Sequence, residues 1–399
     1  MAGVDLATAP FWIFVGVATA VMPLCRGRLR AWAWAGLCLA FCGVVIDGRL
    51  SGGVALLAFD VGSFLLLPLV ALLGGLVAID RMPSARQRAA AAVVVGVCVG
   101  AAFVLHKRPE LAGAGFGDLG PVMGTIGFSY VALRAIDLLR AVAQRRVSRP
   151  TFAGVVGYLL PIHMLAAGPI AAAEEHFTAP APAPPDLEVA LGGVERIAAG
   201  LFKKFVVAAL LRQVLLTDFA ARGPYLWLEV QLFYLWVYLD FSALADIAVG
   251  VGRLCGMPAP ENFDRPLTAR NLVVFWERWH ISLSQFARRN LFIPLQLASM
   301  RRTRGRHRVA VAAVALALTF VAIGLWHGLS WGFLAWGGMH AAGVVACHLW
   351  QHWLRARLGA AGHRRYLQRP VVRIVATVLT FEYVAVSLAL VKTVWMVPG

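Results

Sequence analysis

Two stretches of an otherwise apolar chain hold the residue types that proton transfer needs. "FWERWHISLSQFARRNLFIPL" (275–295) sets Glu277, His280, Ser284 and Arg288 along one stripe of a helical wheel. Beside that stripe runs an apolar arc of Trp276, Trp279, Leu283 and Phe286. An imidazole near a carboxylate and a hydroxyl is a set of groups able to do acid–base work. The second stretch, "IGLWHGLSWGFLAWGGMH" (323–340), carries His327 and His340 among very apolar neighbours. Their spacing puts them on roughly opposite sides of an ideal helix, so they do not line one face. A bland reading stands beside each of these. Tryptophans next to arginines are also what an interfacial or re-entrant helix looks like. A lone histidine in an apolar span is also satisfied by a structural hydrogen bond. Glycines 324, 328, 332, 337 and 338 allow close backbone approach, or leave room for a ligand chain.

Other polar groups also sit where they are expensive, since a charge at the centre of a transmembrane helix costs about 2.5–3.5 kcal/mol on insertion scales. Tyr130, Arg134 and Asp137 fall on one helix face, as a structural Arg–Asp pair or as part of a site. Lys203 and Lys204 have the stems to snorkel to an interface. Asp240 and Asp246 point about 120° apart on a helix, so they form no carboxylate dyad and each needs its own partner. His348 and His352 are four residues apart but lack an acidic third ligand, and no metal site is expected. The six cysteines include no CxxC pair and read as buried small hydrophobes.

The elements that must position these groups are membrane helices. Of the 399 residues 60% are hydrophobic and only 14% charged, and mean hydropathy is +0.74. That excludes an ordinary soluble domain. Apolar runs near 9–25, 31–47, 54–79, 89–105, 119–142, 152–172, 197–216, 225–252, 309–329, 331–350 and 371–395 are each long enough to cross a bilayer. The expected fold is an all-α polytopic integral membrane protein of about 10–11 transmembrane helices plus re-entrant or interfacial helices. The first run does not read as a signal peptide, because Arg26, Arg28 and Arg30 follow it rather than precede it. A net charge of +17 would suggest nucleic acid in a soluble chain. Here the basic residues lie between spans, and the positive-inside rule accounts for them without any nucleic acid. With those clusters in the cytoplasm, parity places 173–188, with four acidic residues and no Lys or Arg, on the outer side. The same count requires 271–297 to cross or re-enter the membrane. One integral-membrane domain is expected, with scaffold helices in 1–118, a catalytic core in 119–350, and a basic loop with a last span in 351–399.

The segments "NFDRPLTARNLVVFWERWHISLSQFARRNLFIPL" (262–295) and "GLWHGLSWGFLAWGGMH" (324–340) together resemble the membrane-bound O-acyltransferase (MBOAT) family. The similar branch is the bacterial one that contains the alginate O-acetylation membrane subunit and the teichoic-acid D-alanyl transfer protein. "IGFSYVALRAIDLLR" (126–140), "HMLAAGPI" (163–170), "GLFKKFVVA" (200–208) and "YLDFSALADIAVG" (238–250) match the same branch in the same order. The resemblance covers about residues 120 to 350. It implies that His327, in the Trp-His-Gly motif after Trp326, is the catalytic histidine, with His280 as the second signature histidine. Asp240, His340, Glu277, Ser284, Trp326 and Trp279 are the expected supporting or substrate-binding residues. One departure is visible: "RRNLFIPLQLA" has Arg289 where the branch usually has an acid, and lacks its Gly-Gly.

The implied reaction is acyl transfer, acetyl or D-alanyl, from a thioester to a hydroxyl of an exported polysaccharide or teichoic acid in the cytoplasmic (inner) membrane. No resident cofactor is expected. The donor would be acyl-CoA or a phosphopantetheine-linked acyl carrier protein at the cytoplasmic face. The hydroxylated acceptor would lie at the outer face, with an extracytoplasmic acyltransferase as a further partner. Membrane lipid surrounds the chain, and Arg301–Arg308 reads as topology signal and anionic-lipid contact, or as an attractor for an acidic carrier. Acylation of a small lipid or secondary metabolite stands as an alternative, as does a transporter of acyl groups. A transporter would favour repeat symmetry between halves, which the sequence does not show. A non-catalytic scaffold would have little need for both signature histidines.

Overall fold

The computed structural model describes residues 8–50, 65–108, 127–165, 168–179, 184–216 and 226–392. These are almost wholly helical, and the described residues contain one isolated antiparallel bridge, Phe263 with Trp279. Five described helices are long and apolar enough to cross a membrane: Gly27–Ile46, Ala85–Lys107, Leu226–Cys255, Arg308–His327 and Pro370–Ala389. The expected spans 54–79 and 119–142 lie partly outside the described residues. The expected crossing at 152–172 is not one helix. It stops at Leu159 and continues as a short 3₁₀ turn, Ile162–Met164. Pro161 and Pro169 flank that turn, and proline supplies no backbone N–H to carry a helix on.

The chain clusters into two compact units, 1–200 with 244–260, and 201–243 with 261–399. The first contains α1 (Ala9–Val21), α2 (Gly27–Leu50), α3 (Leu67–Arg81), α4 (Ala85–Lys107), α5 (Phe128–Ala143), α6 (Phe152–Leu159), α7 (Ala173–Thr178) and nearly all of α8 (Leu187–Phe202). Its buried charges explain several polar residues of the sequence. Arg134 is wholly buried and donates to the carbonyls of Leu159, Met164 and Pro169 at 3.2, 2.5 and 3.4 Å. These carbonyls lie at the end of α6 and in the broken segment that follows it. Asp137 takes Arg140 at 3.1 Å and the Ala173 amide at 2.9 Å, at the start of α7. Arg134 and Asp137 thus serve the internal wiring of this unit. Arg196 of α8 holds Asp246 at 2.7 Å, the separate partner that carboxylate needs.

The second unit contains α9 (Ala209–Leu216), the first part of α10 (Leu226–Cys255), and then α11 (Leu272–Arg278), α12 (Ile281–Ala287), α13 (Ile293–Arg302), α14 (Arg308–His327), α15 (Trp331–Gln368) and α16 (Pro370–Ala389). A π-helical turn, Lys203–Ala208, precedes α9, and another, Arg288–Phe292, joins α12 to α13. The chain reverses between α14 and α15 through Gly328 to Ser330, whose side chain caps Phe333 N at 3.5 Å. The two helices then pack backbone to backbone. A Cβ on Gly324 would lie 2.4 Å from the Phe333 carbonyl oxygen, and one on Gly337 would lie 2.6 Å from that of Phe320. No side chain fits there, so these glycines serve close helix approach. The N-terminal part of α10 is tied to α16 by polar pairs: Glu229 with Lys392, and Gln231 donating to Glu382 at 2.8 Å.

Candidate functional site

The helical wheel drawn through 275–295 does not survive folding. α11 is capped at its start by Asn271, whose side chain accepts from Val274 N at 2.9 Å, and it ends at Arg278. His280 then adopts φ 44° and ψ 53°, the left-handed region, and α12 restarts at Ile281. Histidine tolerates this region better than most residues but not freely, so the surroundings must hold it there. They do so with a short strand-like pairing: Asp264 N donates to Arg278 O at 3.0 Å, Phe263 bridges Trp279, and Ile281 N donates to Asn262 O at 3.0 Å. The break turns His280 inward to 2% exposure. Glu277, one turn earlier, remains exposed. The expected carboxylate–imidazole–hydroxyl stripe of Glu277, His280 and Ser284 is therefore not formed, because the wheel assumes the helix that His280 interrupts. Ser284 is half-buried, and its hydroxyl is out of contact with water and without a hydrogen-bond partner.

Asn262 takes the place that sequence reading assigned to Glu277. It is fully buried, and its Oδ1 accepts from Ser282 Oγ at 2.6 Å and Ser282 N at 3.2 Å. The same oxygen lies 3.4 Å from His280 Nδ1. An amide oxygen only accepts, so this contact puts the proton on Nδ1 and leaves Nε2 as the basic nitrogen, a tautomer assigned from the network. Phe241 meets the imidazole edge-on at 4.7 Å and also packs on Trp279, which in turn packs on Phe263 at 5.1 Å and on Phe275 at 5.5 Å. Asn262 and Ser282 were missed because nothing in a linear pattern pairs residues eighteen to twenty positions apart.

His340 is buried to 1% exposure and both ring nitrogens are engaged. Trp276 Nε1 donates to Nδ1 at 3.3 Å, so Nε2 carries the proton. Nε2 in turn donates to Ser387 Oγ at 2.9 Å, and that hydroxyl donates to Val384 O at 2.7 Å. This chain ties α11, α15 and α16 together and leaves no lone pair on the ring for substrate. Ser387→Ala would strand a buried N–H, at a cost of about 1–3 kcal/mol. The expected result is a lower melting temperature in detergent with acyl transfer retained. Intact stability with lost transfer would instead give His340 a chemical role.

His327 differs from both. It is the last residue of α14, and it is only half-buried. Its ring lies 4.7 Å from Trp326, 5.4 Å from Trp336 at 84°, and 5.9 Å from Phe333 in near-parallel stacking. It is within electrostatic reach of both His280 and His340. Trp336, itself 6% exposed, touches His340 at 4.7 Å as well, and its indole N–H is buried with no hydrogen-bond partner. Sequence reading did not single out Trp336. Asp240 forms an ion pair with Lys204 at 2.7 Å, and Lys203 reaches Ser242 at 3.2 Å. Both lysines sit on the π-helical turn Lys203–Ala208 and reach protein partners. The folded arrangement brings His280, His327, His340, Trp279 and Trp326 into one aromatic neighbourhood; Glu277 stays outside, and Asp240 has its own partner.

The model of the MBOAT, membrane-bound O-acyltransferase, family matches residues 124–389. The chain is similar to a teichoic acid D-alanyltransferase of Streptococcus thermophilus, 27% identical over 57% of this chain and 58% of that protein. It is also similar to a peptidoglycan O-acetyltransferase of Helicobacter pylori, 32% identical over 46% of this chain and 33% of that one. A probable alginate O-acetylase, AlgI, of Azotobacter vinelandii is 34% identical over 37% of this chain and 29% of its own length. The matches thus span little more than half of the first relative and a third or less of the other two.

Proposed function

The chain belongs to the membrane-bound O-acyltransferase family of multi-pass membrane proteins, and from that premise we propose that it moves an acyl group, acetyl or D-alanyl, from a thioester to a hydroxyl of an exported cell-envelope polysaccharide or teichoic acid. The observation that carries the reading is His327, a half-exposed imidazole at a helix end, ringed by Trp326, Phe333 and Trp336, the last of which also packs on His340. The named activities of the similar proteins support both acyl groups and envelope polymers as acceptors.

In this reaction an unprotonated nitrogen of His327 takes the acceptor hydroxyl proton as that oxygen bonds to the thioester carbonyl carbon. The tetrahedral adduct collapses, the C–S bond breaks, and the leaving thiolate regains the proton from the imidazolium. General-base assistance of this kind is worth about 10²–10⁴-fold, or about 3–5 kcal/mol at 1.36 kcal/mol per tenfold. His280, held by Asn262 with Nε2 as its basic atom, acts on the donor side, orienting the thioester or passing a proton. The aromatic enclosure keeps water scarce and so limits hydrolysis of the thioester. The donor, acyl-CoA or an acyl carrier protein, approaches from the cytoplasmic face of the cytoplasmic membrane, and the acceptor meets the outer side, directly or through an extracytoplasmic acyltransferase.

The test compares alkali-labile acetate and D-alanine in envelope polymers from cells with and without the chain. One of the two is expected to fall sharply when the chain is absent. Unchanged content of both, with label from neither donor reaching a polymer hydroxyl, would reject the reading.

A further inference from the structure

A cavity of about 770 Å³, in the size range of small-molecule sites, opens on the second unit, and none of the three histidines lines it. Its polar wall comes from Thr268, Arg270 and Asn271 ahead of α11, and from Arg278 at the end of that helix. Arg278 folds back, its Nη1 donating to Thr268 Oγ1 at 3.1 Å, which brings its guanidinium to the loop that carries Arg270. Arg373, in the first turn of α16, supplies a third guanidinium. None of the residues lining the cavity is acidic. Three fixed positive charges therefore face one space without a carboxylate to neutralise them.

The rest of the cavity is apolar. Ile374, Ala376 and Val378 of α16 line it, running about one turn past Arg373 into a helix apolar enough to span a membrane. Outside the cavity the same helix exposes Val371 (71%), Val375 (50%) and Leu379 (65%), a face that only hydrocarbon suits. The arginines lie where the span begins, after the basic run Arg364, Arg365 and Arg369. That is headgroup depth, with acyl-chain depth immediately beyond it.

We propose that this cavity is a binding site for an anionic phospholipid: Arg270, Arg278 and Arg373 take the phosphate, and the α16 wall takes the first part of an acyl chain. Arginine suits the task because its planar fork presents paired donors to phosphate oxygens. The site is built on α11, the helix whose Trp276 holds His340 and whose C-terminal end sets the turn at His280. A bound lipid thus braces the element that positions both histidines. The proposal does not depend on which acyl group or acceptor the chain uses.

The full chain, purified in neutral detergent, is titrated with dioleoylphosphatidylglycerol, dioleoylphosphatidylcholine, inorganic phosphate and coenzyme A, and binding is read by native mass spectrometry. The expected result is one tight phosphatidylglycerol, bound at least about tenfold more strongly than phosphatidylcholine. A basic residue near an anionic headgroup is worth about fivefold in affinity, so Arg270→Gln with Arg373→Gln should weaken binding about 25-fold. Both side chains are exposed, so the double variant should keep its melting temperature in detergent. Equal binding of the two lipids, or equal binding by the double variant, would overturn the proposal. So would displacement of the lipid by inorganic phosphate, which would make this a free-phosphate site. Displacement by coenzyme A would reassign the site to the thioester donor.

Discussion

Replacing His327 by alanine is expected to lower acyl transfer about 10²–10⁴-fold while leaving the protein folded. The first half of that expectation follows from the role proposed for it, as the base that receives the hydroxyl proton. The second follows from its place in the structure. His327 ends α14, is only half-buried, and its ring is held by neighbouring aromatic faces, Trp326, Trp336 and Phe333. Alanine favours helix and fits the last turn of α14 without strain. The measurement is label transfer from a radioactive thioester by equal amounts of folded wild type and variant, with melting curves in the same detergent. Transfer within about threefold of wild type would remove His327 from the proton-transfer step.

Asn262→Ala is expected to cost both stability and rate. One oxygen serves the Ser282 hydroxyl and amide and faces His280 Nδ1, all without access to water. Removing it strands buried donors at about 1–3 kcal/mol each. It also frees the His280 ring to rotate or change tautomer, and misplacement of about 1 Å costs about 10²-fold in rate. In the proposed mechanism Asn262 acts through His280 as a positioning residue, so kcat should fall more than KM rises, measured well below the variant's melting temperature. The pH profile should shift as well, because the tautomer is no longer set. Lower stability with an unchanged kcat and pH profile would make Asn262 a purely structural group.

These two residues mark how differently the parts of the site were legible. His327 was legible as a titratable group at the end of an apolar run, and the Trp-His-Gly motif of the resemblance, not the lone histidine itself, singled it out. Asn262 does not, since its importance lies in meeting residues 280 and 282, and chain separation hides that. Glu277 shows the opposite error. Periodicity placed it beside His280 on the assumption of unbroken helix, whereas a single residue at φ 44° rotates everything after it. His340 was legible as a residue with a partner but not as a residue with two, because Ser387 is supplied by α16, 47 positions further on.

The sequence by itself determined that this chain lives in a membrane, that it is helical, and which histidines deserve attention. The physical reason is that bilayer insertion is governed by local hydrophobicity over about 20 residues, and a span must satisfy its own backbone as helix. Only the tertiary structure decided how the three histidines divide. His340 is locked on both nitrogens, His280 is turned inward by a backbone break and oriented by Asn262, and His327 is left half-open with a buried, unpartnered Trp336 indole N–H beside it. Hydrogen bonds between distant segments made that division, because a buried imidazole takes its tautomer and orientation from whichever groups the fold brings to its two nitrogens.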